Sequence, residues 1–328
     1  MTSVTGRVLK FPIFKADFTG MAIPIPARRI WPTCLLILFL AGTSPGVSGD
    51  QPGLTYRTGA REVRLTFSAT DQNDHGVATL QANDFAVVDT GFIVRDFQSF
   101  TRSDYSKLEI AILIDCSESM SPYVRNQIVD TLGLLAQTSG VPEENVSLFS
   151  FRNSKPVELC SGNCRASHIE DALPATKGAG LTPLYDSIIF ASEQLSQHGD
   201  AQTQKALILF SDGQDTISLK SLRNALDSAV IHNIQIYSID MNDSLGYEPG
   251  RQVLRVFAAA SGGRFFEMKD GSARALSTIL EGYRASYVVS YHLPTHARGF
   301  HTVQVLPTHN VHLQFRSRSG YYYPKYIR

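Results

Sequence analysis

From residue 109 onward, unbroken apolar runs alternate with segments of helical spacing, and this rhythm constrains the fold more than any other feature of the chain. Ile110-Ala111-Ile112-Leu113-Ile114 has no polar interruption, as expected of a strand buried on both faces. Residues 124–136 follow with Val124, Ile128, Leu132 and Leu135 on one helical stripe. Further strands are expected at 146–151, 206–210, 234–239 and 265–267, and helices at 183–195, 219–231, 252–260 and 273–283. Strand and helix alternating at this spacing imply right-handed crossovers. The expected fold class is α/β: a doubly wound, mostly parallel sheet flanked by helices on both faces.

On either side the period changes from helical to two. Val63-Arg64-Leu65-Thr66-Phe67-Ser68-Ala69 and Phe85-Ala86-Val87-Val88 alternate between polar turns at 71–76 and Asp89-Thr90-Gly91. After residue 283 the same pattern returns at 286–291, 302–306 and 311–315. These are short antiparallel strands, and the two flanks are expected to join in one sheet of a smaller β module beside the α/β domain. Four segments result: 1–49, 50–104 (N-terminal β), 105–283 (α/β) and 284–328 (C-terminal β).

The first segment differs from the rest. Arg28 and Arg29 precede Leu35-Leu36-Ile37-Leu38-Phe39-Leu40-Ala41, and small residues run from Gly42 to Gly49. A basic region, a short apolar run and a small-residue exit form the pattern of a signal peptide. The apolar run is far shorter than the roughly 18 residues that cross a bilayer, so the expectation is export with cleavage near Asp50 and no membrane span afterwards. An uncleaved anchor is the alternative. Met21 stands at a more usual distance from the arginines than Met1, which makes residues 1–20 a candidate misplaced start.

Export changes how charge and cysteine read. Thirty basic and 30 acidic side chains balance over the whole chain; removing 1–49 takes five basic and one acidic, leaving 25 against 29, a charge of −4. No basic face for nucleic acid is expected. Of the three remaining cysteines, Cys160 and Cys164 flank a polar, Gly-containing loop and are expected to pair in an oxidising compartment. Cys116, at an apolar strand end, is expected to be a buried free thiol. His292, His296, His301, His309 and His312 are spaced irregularly across turns and read as exposed strand residues rather than a zinc site.

Ligands of doubly wound sheets bind at the carboxyl ends of the strands. There the run 110–114 enters Asp115-Cys116-Ser117-Glu118-Ser119, and 206–210 enters Ser211-Asp212-Gly213-Gln214-Asp215. Between them Gly178-Ala179-Gly180-Leu181-Thr182 opens a helix. Two carboxylates and three hydroxyls on three loops are hard oxygen donors, suited to Mg²⁺, Mn²⁺ or Ca²⁺ rather than zinc. Each residue also has a plainer role: Asp115 and Ser119 could cap the next helix, and Asp212 could turn the chain with Gly213.

These loops resemble the von Willebrand factor type A (VWFA) domain and its metal-ion-dependent adhesion site. Asp115, Ser117 and Ser119 match the family's Asp-x-Ser-x-Ser pattern, Thr182 its loop threonine, and Asp212 its second aspartate. The flanks, with Tyr56-Arg57-Thr58-Gly59, Asp84-Phe85, Phe97-Gln98-Ser99-Phe100 and Gly320-Tyr321-Tyr322, are similar to those of the VWFA-related proteins of Acidobacteria. The resemblance implies an exported bacterial protein whose divalent cation is Mg²⁺ first, with Mn²⁺ or Ca²⁺ as alternatives. Ser117, Ser119 and Thr182 would hold it directly, and Asp115 and Asp212 largely through water. An open coordination position would then accept an Asp or Glu carboxylate of a protein partner. Glu118 departs from the family, which usually has glycine there, and is expected to face solvent. Asp186 and Asp215 are expected to support the loops.

The leading expectation is therefore a binding module, not an enzyme, in the periplasm, on the cell surface or secreted. A metal-dependent hydrolase is the alternative, but no Gly-x-Ser-x-Gly, His-Glu-x-x-His or Gly-x-x-x-x-Gly-Lys motif occurs. A structural envelope protein with a vestigial metal site is the third reading.

Overall fold

The computed structural model describes residues 62–103, 108–119, 145–162, 164, 179–200, 202–242, 248–267 and 271–324, with Asn126, Val129, Asp130 and Gly133 between them. The expected signal peptide, the cleavage point near Asp50 and most of the expected helix 124–136 lie outside the described residues. That helix is seen only at those four positions, where the backbone is helical.

Six strands form the central sheet: β5 (Leu108–Asp115), β6 (Val146–Phe151), β7 (Val157–Ser161), β8 (Gln204–Ser211), β9 (Ile234–Asp240) and β10 (Phe265–Glu267). Their order is β10-β9-β8-β5-β6-β7. All neighbours run parallel except β6 and β7. The uninterrupted apolar run 110–114 within β5 follows from its central place. Ile110, Ile112 and Ile114 pack to one face, while Ala111 and Leu113 pack to the other.

Among the described residues four complete helices cover the two faces: α1 (Leu184–Ser196), α2 (Leu222–Ile231), α3 (Pro249–Ser261) and α4 (Ser272–Arg284). α1, α2 and α3 bury Ile188, Ala225, Leu254 and Phe257 against one face. α4 buries Leu276, Ile279, Leu280 and Tyr283 against the other. Ser221 starts α2 by a reciprocal capping box with Asn224, which satisfies amides that otherwise lack partners in the first turn.

The edge strand β7 corrects one expectation. Cys160 and Ser161 are not in a loop but in this strand, antiparallel to β6. The Cys160–Cys164 disulfide is nonetheless formed, and Cys116 is buried and free. Because the loop it closes is short, exchanging both cysteines for alanine is expected to cost about 2 kcal/mol. Denaturant unfolding of parent and variant measures this; coincident midpoints would contradict it.

The flanks form two sheets rather than one. β1 (Glu62–Thr70), β4 (Ser99–Arg102), β11 (Ser286–His292) and β13 (Gln314–Ser317) pair in the order β13-β1-β11-β4. β2 (Phe85–Asp89), β3 (Phe92–Val94), β12 (Gly299–Pro307) and β14 (Gly320–Tyr323) pair in the order β14-β12-β2-β3. Every pairing is antiparallel. Both flanks contribute to each sheet, which is why neither flank alone closes a core. The sheets pack face to face through Leu65, Phe67, Phe85, Val87, Val289 and Val305, with Phe67 and Phe85 ring centroids 4.9 Å apart. Thr90 and Gly91, both with positive φ, close the β2–β3 hairpin as a two-residue turn suited to strand twist.

His301 is a second correction. It is 2% exposed, because it lies in register with the inward-facing Val303 and Val305 of β12. Its Nε2 lies 2.7 Å from the carbonyl of Ala297 and its Nδ1 3.6 Å from a carboxylate oxygen of the fully buried Asp89. His292, His296, His309 and His312 are exposed, as expected.

Candidate functional site

The carboxyl ends of β5 and β8 lie side by side, since β5 pairs with both β6 and β8 at the centre of the sheet. Asp115, the last residue of β5, is thereby brought next to Ser211, the last residue of β8. The Ser211 hydroxyl donates to Asp115 Oδ2 at 2.8 Å, and the Ser117 amide donates to Asp115 Oδ1 at 2.9 Å. Burial pushes the Asp115 carboxyl up to about 6; these hydrogen bonds oppose the shift and the nearby Asp212 charge adds to it. The site thus concentrates negative charge where water is scarce, which favours a cation.

The three loops are laced together by their backbones. Ala179 N donates to Cys116 O at 3.1 Å and Glu118 N to Gly180 O at 3.1 Å, joining the first loop to the second. Thr182 N donates to Thr216 Oγ1 at 2.7 Å, and Thr216 N returns a bond to Thr182 O at 2.9 Å, joining the second to the third. Asn153, two residues beyond β6, holds the second loop from outside, its side-chain oxygen accepting from Leu181 N at 2.7 Å and its backbone N–H donating to Leu181 O at 2.8 Å.

Within this frame Asp115, Ser117, Thr182 and Asp212 are buried, whereas Ser119 is exposed. Ser117 Oγ and Ser119 Oγ are 3.3 Å apart. Asp212 accepts from Gln214 N at 2.9 Å and from Gln214 Nε2 at 3.2 Å. Glu118 is exposed, as expected. Asp186 accepts from the amides of Leu219 and Lys220, and Asp215 accepts from Tyr185 N and the Ser218 hydroxyl, so both brace loop backbone. Burial, reinforced by the Asp115 charge, pushes the Cys116 thiol up to about 12, which leaves it without thiolate character.

Ser211, Asn153, Thr216 and Gln214 were not singled out from sequence as functional. Only Ser211 and Gln214 carried a signal, their adjacency to Asp212; Asn153 and Thr216 act through contacts between loops that no local motif records.

Gly213 follows Asp212 with φ +79, and a Cβ there would lie 2.1 Å from the Gly250 carbonyl at the start of α3. A Cβ on Gly250 would in turn lie 2.3 Å from the Asp212 carbonyl. These two glycines allow α3 to press on the backbone that carries Asp212. Gly213→Ala is expected to cost about 2–3 kcal/mol through the left-handed backbone and the clash. Thermal melting of the variant tests this; a change within 0.5 kcal/mol, in the range of ordinary surface substitutions, would show that the contact yields.

The donor set decides what such a site can hold. Among the described residues no three His, Cys, Asp or Glu side chains gather to hold a metal. The cluster here instead has two carboxylates and hydroxyls, all oxygen, which fits a hard divalent cation.

Residues 110–214 match the von Willebrand factor type A domain. The match runs from β5 to Gln214 and so contains all five candidate positions. The doubly wound sheet has the type A fold, to which the two antiparallel sheets are an addition. No curated protein matches the chain. Among solved structures it is similar to manganese-loaded TRAP protein of Plasmodium vivax, at 15% identity over 68% of this chain and 98% of that one, TM-score 0.41. It is also similar to an aerotolerance-related membrane protein of Bacteroides fragilis NCTC 9343 carrying multiple mutations to serines, at 13% identity over 54% and 98%, TM-score 0.38. A third is the conserved hypothetical protein BatB of Bacteroides thetaiotaomicron, at 13% identity over 53% and 96%, TM-score 0.37. No helix among the described residues is long and apolar enough to cross a membrane.

Proposed function

We infer that the type A domain is a metal-dependent protein-binding module that takes a carboxylate from its partner, and that it binds rather than turns over. The observation that carries this reading is the lacing of three loops around Asp115, which gathers oxygen donors at the carboxyl edge. Ser117, Ser119 and Thr182 would hold a divalent cation, Mg²⁺ first with Mn²⁺ or Ca²⁺ as alternatives, and Asp115 and Asp212 would face it largely through water. Bound there, the cation would supply an incompletely neutralised positive charge for an incoming Asp or Glu side chain. Ser211 fixes the Asp115 carboxylate, and Asn153 and Thr216 fix the backbone that carries Thr182. The leader-like residues 28–49 and the disulfide support an exported bacterial protein of the VWFA-related kind, acting in the periplasm, on the surface or outside the cell.

The test is capture of partners from envelope extracts by the immobilised protein with Mg²⁺ and with EDTA. Proteins retained only with Mg²⁺, and displaced by free glutamate-containing peptide, are the expected outcome. Retention that is indifferent to EDTA would overturn the metal-dependent reading, and hydrolysis of generic ester or phosphoester substrates would overturn the non-enzymatic one.

A further inference from the structure

A second polar site lies away from the adhesion-type loops, where the β sandwich meets α4 and the strands beneath it. Its centre is Asp74, in the turn after β1, with φ 63. The turn is held by Asp71, whose carboxylate accepts from the amides of Asn73 and His75. Asp74 reaches between two arginines from distant parts of the chain: Arg264 Nη2 donates to Oδ2 at 2.8 Å and Arg316 Nη2 to Oδ1 at 3.1 Å. The Arg264 guanidinium also lies over the Phe266 ring, 5.4 Å from its centroid. Burial raises the Asp74 carboxyl, but hydrogen bonds and charge from Arg264 and Arg316 outweigh it and hold it below the usual carboxylate range.

Thr70, Asp74, Tyr237, Arg264, Thr278 and Arg316 line a cavity beside this cluster, with an enclosed volume of about 20 Å³. That is room for one small occupant and not for a phosphate. Two of the lining residues carry buried donors without partners among the described residues: Thr70 Oγ1 and Arg264 Nη1. Thr70 itself is 5% exposed. An orphaned buried donor costs on the order of 1–3 kcal/mol, so two in the walls of one cavity call for an acceptor inside it.

We propose that this cavity binds a monovalent anion of chloride size, which accepts from Thr70 Oγ1 and Arg264 Nη1. Water would meet the hydrogen bonds but not the charge. Two guanidinium groups donate to the one carboxylate of Asp74, a cationic setting in which a halide answers both demands. The anion would join β1, the Asp74 turn and Arg264 at the entry to β10, and so seal the sandwich to the doubly wound domain. This inference does not rest on the metal reading, since none of the adhesion-type loops takes part.

The experiment is thermal melting of the protein at constant ionic strength in sodium gluconate, chloride or bromide. Tm is expected to rise by about 3 °C in 0.2 M halide, the scale of a site filled well above its Kd. Thr70→Val keeps the side-chain shape and removes the hydroxyl, so it should fold and lose at least half of that rise; Arg264→Gln should lose all of it. In a crystal soaked in bromide, the anomalous signal should place an ion within hydrogen-bond distance of both donors. Equal melting in gluconate and halide, or a bromide peak only elsewhere, would show that the cavity holds water and overturn the proposal.

Discussion

Replacing Asp115 by asparagine, or Asp212 by alanine, is expected to abolish the stabilisation that MgCl₂ or MnCl₂ should give the parent protein, with little effect on the metal-free fold. Stabilisation by a bound cation grows as RT ln(1 + [L]/Kd), so at a hundredfold excess over Kd the parent gains about 2.7 kcal/mol and the variants none. The metal-free fold holds because both carboxylates stand at or beyond the strand ends, where their loss opens no cavity in the core. Removing one also relieves a buried negative charge, since burial and the Asp212 charge already raise Asp115. Asparagine is the cleaner replacement at 115 because it keeps an acceptor for Ser117 N, which alanine would orphan. Thr182→Ala should retain most of the Mg²⁺ response but lose partner capture. A thermal-shift series in MgCl₂ reads all three variants. If Asp115→Asn gains as much from Mg²⁺ as the parent does, the adhesion-site assignment is wrong.

The parts of the fold legible in the sequence are those whose signal is local. The runs 110–114 in β5 and 206–210 in β8 are apolar throughout because both faces are covered, and each run announces its own strand. The five candidate positions were legible for the same reason: each follows directly from a run or opens a helix. What escaped was set by distant partners. β3, β4 and β7 are edge strands with few or no fully buried positions, so burial imposes no period-two pattern on them. The split of the flanks into two sheets depends on β1 pairing with β11 and β13, more than 200 residues away, and composition does not record pairing. His301 is a different case. Its alternation with Val303 and Val305 pointed inward, but its polar side chain suggested the surface, and only the carboxylate of Asp89 and the carbonyl of Ala297 explain why it is tolerated inside. The lacing by Ser211, Asn153 and Thr216 was likewise invisible, because adjacent strands create it.

Asp89→Ala is expected to be the most destabilising single change outside the site, by about 4 kcal/mol. Asp89 closes the β2–β3 hairpin with its side chain turned into the sandwich and fully buried. Its Oδ2 accepts from Tyr291 in the opposite sheet at 2.9 Å and from Tyr321 in its own sheet at 2.7 Å; its Oδ1 accepts from the Thr90 hydroxyl at 3.0 Å. Burial, together with the carboxylate itself, holds both phenols well above their ordinary pKa, so they remain donors across the usual pH range. One buried carboxylate thus satisfies donors from both sheets, and truncating it orphans two phenols at about 1–3 kcal/mol each, besides leaving His301 without its neighbour. Tyr321→Phe should cost only about 1 kcal/mol, because Asp89 keeps Tyr291 and Thr90 as donors and only the 3.3 Å contact of the Tyr321 hydroxyl with His301 Nδ1 is lost besides. Asp89→Asn should fall between the two, since an amide oxygen still accepts but a hydroxyl that faces its NH₂ must accept instead of donate and loses the acceptor for its own hydrogen. Guanidinium unfolding of the three variants ranks them. Were Asp89→Ala to cost no more than Tyr321→Phe, the carboxylate would be only a passenger in the hairpin turn, and the joining of the two sheets would rest on their apolar faces alone.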